Sequence, residues 1–417
     1  MSASYRPRAR WGRIIGIPLG TLIILAVGLY GPATLIGPLP AATFTPAAAA
    51  TSDVAGTPVA LPETGSSAVT LADVDEPIAT AGTSDPLPAA GTVKVITALV
   101  VLDKHPLGAG EQGATLPIGR ADFDSYTDYA KNGARTVPVF LGENWTQLEM
   151  LQALLLGSSN NHADSLARWA FGSTEEFVTQ ANAWLRENGM QNTTLADATG
   201  LSEQSVATAS DLARIAQLAD DNEAISAILS NPSTALASRR GVDNTTAYLA
   251  DLGVTGLSRS YTDAAGVSFL YAATVSKEGQ NLTFYGAFVG QPDYDSLEAS
   301  VRALMDSAQA GVQIAPPLPE GTVLGSMTSA WGREAEVVAG RLAPRMVWKT
   351  DTAKPVVTLD EVRIATKGQR IGTATVTAAG AERDAPALLE ASLPDPGPLW
   401  RLSHPVPVIS ELIASWK

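Results

Sequence analysis

Lys94 opens an apolar run, Val93 to Leu102, that reads as a buried helix. The nearest hydroxyl before it is Thr92, and on a helix a residue two positions away points about 200° from the lysine. A second polar group, Ser158-Ser159-Asn160, falls between two helical stretches, where such residues cap helix ends. Other chemistries are thinly supplied. There is no cysteine, hence no thiolate nucleophile, no thiolate metal ligand and no disulfide. The three histidines, His105, His162 and His404, lack the paired spacing of a zinc hydrolase, so no metal is expected. Their scarcity also argues against a Ser-His-Asp arrangement, and His162, which adjoins the Ser158-Ser159-Asn160 group, reads as surface or interface decoration with no role. With no Gly-rich phosphate loop, no cofactor is expected either.

The 417 residues are 45% hydrophobic and 17% charged, an ordinary globular balance with room for two folded domains. The net charge is −14, although Arg6, Arg8, Arg10 and Arg13 crowd the first thirteen residues. So acidic a body repels phosphate backbones, and no nucleic-acid partner is expected. The basic cluster precedes an uncharged apolar stretch, Ile14 to Ile36. Its length suits the roughly 20 residues of a membrane-crossing helix, with the arginines on the cytoplasmic side and the body outside. A cleaved signal with a site near Pro40-Ala41-Ala42 is the competing reading, and it exports the body as well.

The elements that would hold the polar groups follow from pattern. Ser67 to Leu71 and Ile78 to Ala81 predict a hairpin around Asp73-Val74-Asp75-Glu76-Pro77. Thr146 and Glu149 form a capping box ahead of an apolar helix to Leu156, and another helix starts after Asn161. Ser173 and Glu176 begin a helix that ends at Asn188 before Gly189, and a fourth starts near Ser210. Val267 to Val275 and Leu282 to Val289 predict a second hairpin. Strands at both ends of a helical middle indicate an α+β domain in which the terminal strands share one sheet. Pro316-Pro317-Leu318-Pro319 closes it, and short β-like runs such as Ile371 to Val376 indicate a small β-rich domain. The last stretch, Val408 to Lys417, carries Ile409, Leu412, Ile413 and Trp416 at helical spacing, read as packing on that β domain. Leu61-Pro62-Glu63-Thr64-Gly65 matches a sortase motif, but without a following hydrophobic tail it reads as coincidence.

Several blocks then occur in a familiar order: Asp85-Pro86-Leu87-Pro88, Lys94-Val95-Ile96-Thr97-Ala98-Leu99, Leu154 to Asn161, Asn192-Thr193 with Gly200-Leu201, Tyr261 to Gly266, and Pro398-Leu399-Trp400-Arg401-Leu402. In these the chain resembles the serine-type D-alanyl-D-alanine carboxypeptidases, the low-molecular-weight penicillin-binding proteins with a DD-peptidase/beta-lactamase-like fold. The resemblance runs from about Val59 to Gly311. It extends through the β domain, and with the charge and composition pattern it gives a cytoplasmic tail at 1–13, a transmembrane anchor at 14–36, an Ala/Pro/Thr linker at 37–58, the peptidase-like domain at 59–312 and a β-rich domain at 313–417.

Such enzymes use Ser-x-x-Lys, Ser-x-Asn and Lys-Thr-Gly. Here Lys94 is present, but Gly91 stands where the nucleophilic serine belongs. Ser158 and Asn160 fill the second element. Ser258-Arg259-Ser260 replaces the third, where the family holds the substrate carboxylate. Arg259 does not restore the lost lysine, because strand neighbours face opposite sides unless a bulge intervenes. Lys94, Ser158 and Asn160 are thus the retained catalytic positions, with Ser258, Arg259 and Ser260 at the substrate-binding position. The resemblance implies a cell-wall protein that is inactive or impaired and acts as a binding or regulatory module. Its expected partners are peptidoglycan stem peptides or cell-wall proteins. Two alternatives stay open: an active carboxypeptidase using Thr92 or Ser158 as nucleophile, and a purely structural surface protein.

Overall fold

Alternating side chains on four long strands build the centre of the molecule. The computed structural model describes residues 11–48, 58–72, 74, 76–231, 233, 235–238, 241–348, 355–378 and 381–416. Asp73 and Asp75 of the first hairpin tip, and Arg6, Arg8 and Arg10 of the basic cluster, lie outside the described residues. A five-stranded antiparallel sheet runs in the order Ala79–Gly82, Ser66–Leu71, Gln280–Gln291, Gly266–Lys277, Val254–Thr262. One face presents Ala68, Leu270, Ala272, Tyr285 and Ala287 to the helical layer. The other presents Val69, Leu71, Phe269, Tyr271, Phe284 and Phe288 to Leu297, Val301, Leu304 and Met305 of the helix Tyr294–Gly311. Both faces are covered, which is why these strands read as nearly continuous apolar runs. Each such buried aromatic or aliphatic side chain contributes about 1.5–3 kcal/mol.

The helical layer holds the polar groups singled out above. Val93–Lys104 lies at its centre, with Val95, Ile96, Val100 and Val101 buried. Gln147–Leu155 starts at a complete capping box: Thr146 accepts from the Glu149 amide, and Glu149 accepts from the Thr146 amide. Asn160–Phe171, Thr174–Glu187 and Ala209–Asp221 follow, the last two capped by Ser173 and Thr208. Sequence pattern did not reveal Arg120–Lys131, a largely polar helix none of whose residues is fully buried.

The C-terminal part is a six-stranded sheet in the order Thr43–Pro46, Val323–Thr328, Glu334–Ala339, Ala381–Leu389, Arg370–Ala378, Val356–Leu359. Its first strand comes from the segment read as a linker, so that reading is corrected for residues 43–46. Their backbone pairs in register with Val323–Thr328, from Thr43 opposite Thr328 to Pro46 opposite Gly325. The helix Pro405–Ala414 also departs from expectation. Its Ile409, Leu412 and Ile413, with Trp416 beyond it, face Leu22, Leu25 and Leu29 rather than the β sheet. Ile15–Leu35 is long and apolar enough to cross a membrane, with mean hydropathy 1.8.

Candidate active site

The Lys94 helix begins from a tight turn, Ala90–Thr92, buried against the strand Val254–Thr262. Ala90 adopts φ +47°, a left-handed conformation rare outside glycine. Its carbonyl packs on Gly200, where any Cβ would overlap it. The Thr92 hydroxyl donates to the Ala89 carbonyl at 2.6 Å and is wholly buried. It is occupied by the backbone.

Gly91 abuts the strand. A Cβ placed on it would lie 2.7 Å from the Cβ and 2.8 Å from the Oγ of Ser260, and 3.7 Å from the Oγ of Ser258. The Gly91 amide donates to Ser260 Oγ at 2.9 Å. The strand side chain therefore fills the space a serine at position 91 would need, and takes up its backbone N–H. This arrangement depends on strand phase. A register shift between Gly256 and Ser258 leaves Leu257 as an extra residue, after which Ser258 and Ser260 both face Gly91. Arg259, between them, turns to the other side. Its guanidinium donates to the Thr245 carbonyl at 3.1 and 3.2 Å and lies over the rings of Tyr248 (4.8 Å) and Tyr294 (5.5 Å). It does not line the cleft, and it is packed rather than freely solvated.

Lys94 is turned inward. Its ammonium donates to the Thr199 carbonyl at 2.8 Å, and the residue is 6% exposed. Burial lowers its pKa to about 8; Asp197 and Asp164 oppose that shift and Arg135 adds to it. Asp197 organises the loop beneath. It accepts from the Ser205 and Thr199 hydroxyls and from the amides of Gly200, Leu201 and Ser202. Sequence reasoning missed Asp197, Thr199 and Arg135; an aspartate three residues before a turn glycine was the available signal.

Ser158 sits at φ +49°, a strained position of the kind that gathers at functional sites. Its hydroxyl, like that of Ser258, has no hydrogen-bond partner among the described residues. Asn160 donates through Nδ2 to the Arg135 carbonyl at 3.0 Å, while its Oδ1 is buried and unpartnered. Ser159 does structural work: its hydroxyl meets the Val137 amide, Asn161 Oδ1 and His162 Nδ1. His162 is fully buried against Trp145, which corrects its reading as surface decoration. Burial lowers its pKa to about 3, so the ring is neutral. Beside Gly157 a cavity of about 880 Å³ opens between Val137, Phe140, Trp145 and Thr245.

Lys94 thus supplies a buried amine of lowered basicity, Ser158 and Ser258 hydroxyls without partners among the described residues, and Asn160 a bare amide oxygen, while position 91 at the start of the Lys94 helix carries no nucleophile. These groups can exchange hydrogen bonds with an amide or carboxylate.

Comparison with known proteins agrees with this architecture. Residues 68–284 match the D-alanyl-D-alanine carboxypeptidase family. A D-alanyl-D-alanine endopeptidase of Pseudomonas aeruginosa is 29% identical over 210 residues, 48% of this chain and 64% of that protein. The D-alanyl-D-alanine carboxypeptidase DacF of Bacillus subtilis is 27% identical over 163 residues, 39% of this chain and 40% of that protein. The chain therefore spans less than two thirds of the length of these relatives. In fold it is similar to the D-alanyl-D-alanine carboxypeptidase DacD of Francisella tularensis (TM-score 0.56, 15% identity, 80% of this chain and 94% of that one). It is likewise similar to a Streptomyces DD-transpeptidase (TM-score 0.52, 20% identity, 59% and 96%). The family match takes in more than half of the sequence, including the Lys94 helix, Ser158 to Asn160 and the Ser258 to Ser260 strand, and so the chain belongs to the D-alanyl-D-alanine carboxypeptidase family.

Proposed function

We propose that this protein is a non-hydrolytic member of its family, a binding or regulatory module of the cell wall that uses the altered cleft to hold a peptide. The observation that carries the reading is Gly91 packed under Ser260. Removing the nucleophile of a well-studied serine protease costs about 10⁶ in turnover. Here the hydroxyl is absent and its space is filled, so no acyl-enzyme forms at position 91.

Lys94, Ser158, Asn160 and Ser258 are the ligand-facing groups in this reading. Asn160 Oδ1 accepts a peptide N–H, and the two serine hydroxyls and the lysine donate to carbonyl or carboxylate oxygen. Peptidoglycan stem peptides ending in D-alanyl-D-alanine are the ligand class implied by the family. The helix at 14–36 anchors the protein in the cell membrane with its body outside, and the peptidase-like domain extends over 59–312. Two measurements test this together. Incubation with a labelled penicillin gives no covalent adduct, and calorimetry with a D-alanyl-D-alanine peptide gives saturable binding that Asn160→Ala abolishes. Stoichiometric labelling overturns the reading; absence of peptide binding leaves only a structural surface protein.

One observation favours a rival. Ser158 has a strained backbone and a hydroxyl without a partner among the described residues, and Lys94 has a lowered pKa, the two properties that an active peptidase with a substitute nucleophile would need. Release of D-alanine that is lost in both Ser158→Ala and Lys94→Ala would establish that activity.

A further inference from the structure

We propose that the apolar helix near the N-terminus stays part of the folded protein, clasped by the helix Pro405–Ala414, rather than being removed as a leader. This rests on the membrane-anchor reading above. The clasp is a set of specific contacts made by Pro405–Ala414 together with the short helix Pro398–Ser403 before it and with Arg363. Tyr30 donates its hydroxyl to the Leu402 carbonyl at 2.5 Å, and Arg401 donates to the Gly37 carbonyl at 2.7 Å. Arg363 donates to the Leu39 carbonyl at 2.7 Å and pairs with Glu411 at 3.3 Å. The Ala42 amide donates to the Val362 carbonyl at 2.7 Å, immediately before the strand Thr43–Pro46.

Packing follows the same line. A Cβ on Gly37 would lie 2.3 Å from the Ala33 carbonyl oxygen and 2.8 Å from Val408 Cγ1, so both the end of the apolar helix and its approach to Val408 depend on glycine. Val408 and Thr34 are wholly buried and Leu39 is 2% exposed. Beyond Gly37, Leu25, Leu29, Tyr30 and Ala33 face Ile409 and Ile413 across an apolar groove of about 600 Å³.

Cutting the chain near Ala41 would remove the contacts of Tyr30, Gly37 and Leu39. Val408 would lose its cover, the carbonyls that Arg363 and Arg401 bind would go, and an apolar helix face would be left without a partner. Uncovering buried apolar groups in this way is costly. The contacts make sense only if residues 15–40 remain in the mature protein. The groove then lies alongside the membrane-crossing segment, with bilayer lipid as its remaining neighbour.

The cysteine-free sequence makes the test clean. The full chain, tagged at both ends, is expressed in bacterial membranes as Ala33→Cys/Ile409→Cys and treated with a short bismaleimide. Ile17→Cys/Ile409→Cys is the control, since Ile17 lies about 24 Å along the helix from Ala33. The expected result is one membrane-bound species carrying both tags, with intramolecular cross-linking about tenfold above the control. Adding Gly37→Leu should cut cross-linking about tenfold, the occupancy change for an overpacking cost near 1.4 kcal/mol, while membrane retention is unchanged. Loss of the N-terminal tag from the mature protein overturns both the clasp and the anchor. Retention of both tags in the membrane, with cross-linking no higher than the control, overturns the clasp alone.

Discussion

Gly91→Ser restores the missing hydroxyl, yet the structure says that it cannot restore activity and should weaken the fold. The new Cβ would meet Ser260 Cβ at 2.7 Å, about 1 Å inside ordinary carbon–carbon contact. Overpacking of this kind costs about 1–3 kcal/mol. If Ser260 swings away instead, the buried Gly91 amide loses its acceptor, at about 1–3 kcal/mol. Either way the loss is about 1–3 kcal/mol, which lowers Tm by about 2–12 °C for a domain of this size. Ser260→Gly alone also destabilises, because it strands the same amide. The double variant removes the clash and should recover more than about 1 kcal/mol over the sum of the singles. Thermal denaturation of the four proteins measures that coupling, and labelled penicillin reads the chemistry. Gly91→Ser alone should stay unlabelled, whereas Gly91→Ser with Ser260→Gly and Ser258→Lys should acquire label. Additivity within about 0.5 kcal/mol, or full labelling of the single variant, would refute the argument that positions 91 and 260 exclude one another.

Three further outcomes follow from the same geometry. The folded pKa of Lys94, about 8, lies below its ordinary 10.5, so between those values the unfolded chain holds the extra proton. Stability relative to Lys94→Met should therefore rise by roughly 3 kcal/mol from pH 8 to 10.5 and stay flat below 8; parallel curves would contradict the burial of the amine. Asn160→Ala loses one hydrogen bond but also removes an orphaned buried oxygen, so denaturation should shift by less than about 1 kcal/mol while calorimetry shows peptide binding abolished. Arg259→Ala should cost roughly 2–3 kcal/mol through its aromatic and carbonyl contacts and leave peptide affinity unchanged, whereas a fall in affinity would place the side chain in the cleft.

Local chemistry explains what could be read before the fold was seen. Thr146 with Glu149, Ser173 ahead of Thr174–Glu187, and the hairpin around Lys277 to Asn281 are signals written within a few residues. Thr43–Pro46 was hidden because Ala/Pro/Thr composition carries no alternation, and its partner strand lies far along the chain. The contact of Gly91 with Ser260 spans 169 positions. The sequence showed two departures from the family pattern, but not that one fills the space of the other. Arg259 posed a different problem. The extra residue at Leu257 sets the phase of the strand, and a bulge has no composition of its own. His162 looked like a surface residue because its cover, Trp145 and Ser159, comes from the tertiary fold and a neighbouring turn.

The strand Thr43–Pro46 also has a consequence for assembly. Its first residue, Thr43, pairs with Thr328, 285 positions later. Inside that loop, Ser66–Leu71 pairs with Phe284–Val289 to close the central sheet. The two closures are nested, like brackets within brackets. As the chain emerges, the inner sheet can zip once its last strand appears, while Thr43–Pro46 must wait for Val323–Thr328. Closing the outer loop after the inner one has folded costs far less chain entropy than closing it across a floppy segment, because the folded body already draws the two ends together. Folding order is therefore built into the topology: the central domain is the template on which the outer sheet is sewn shut.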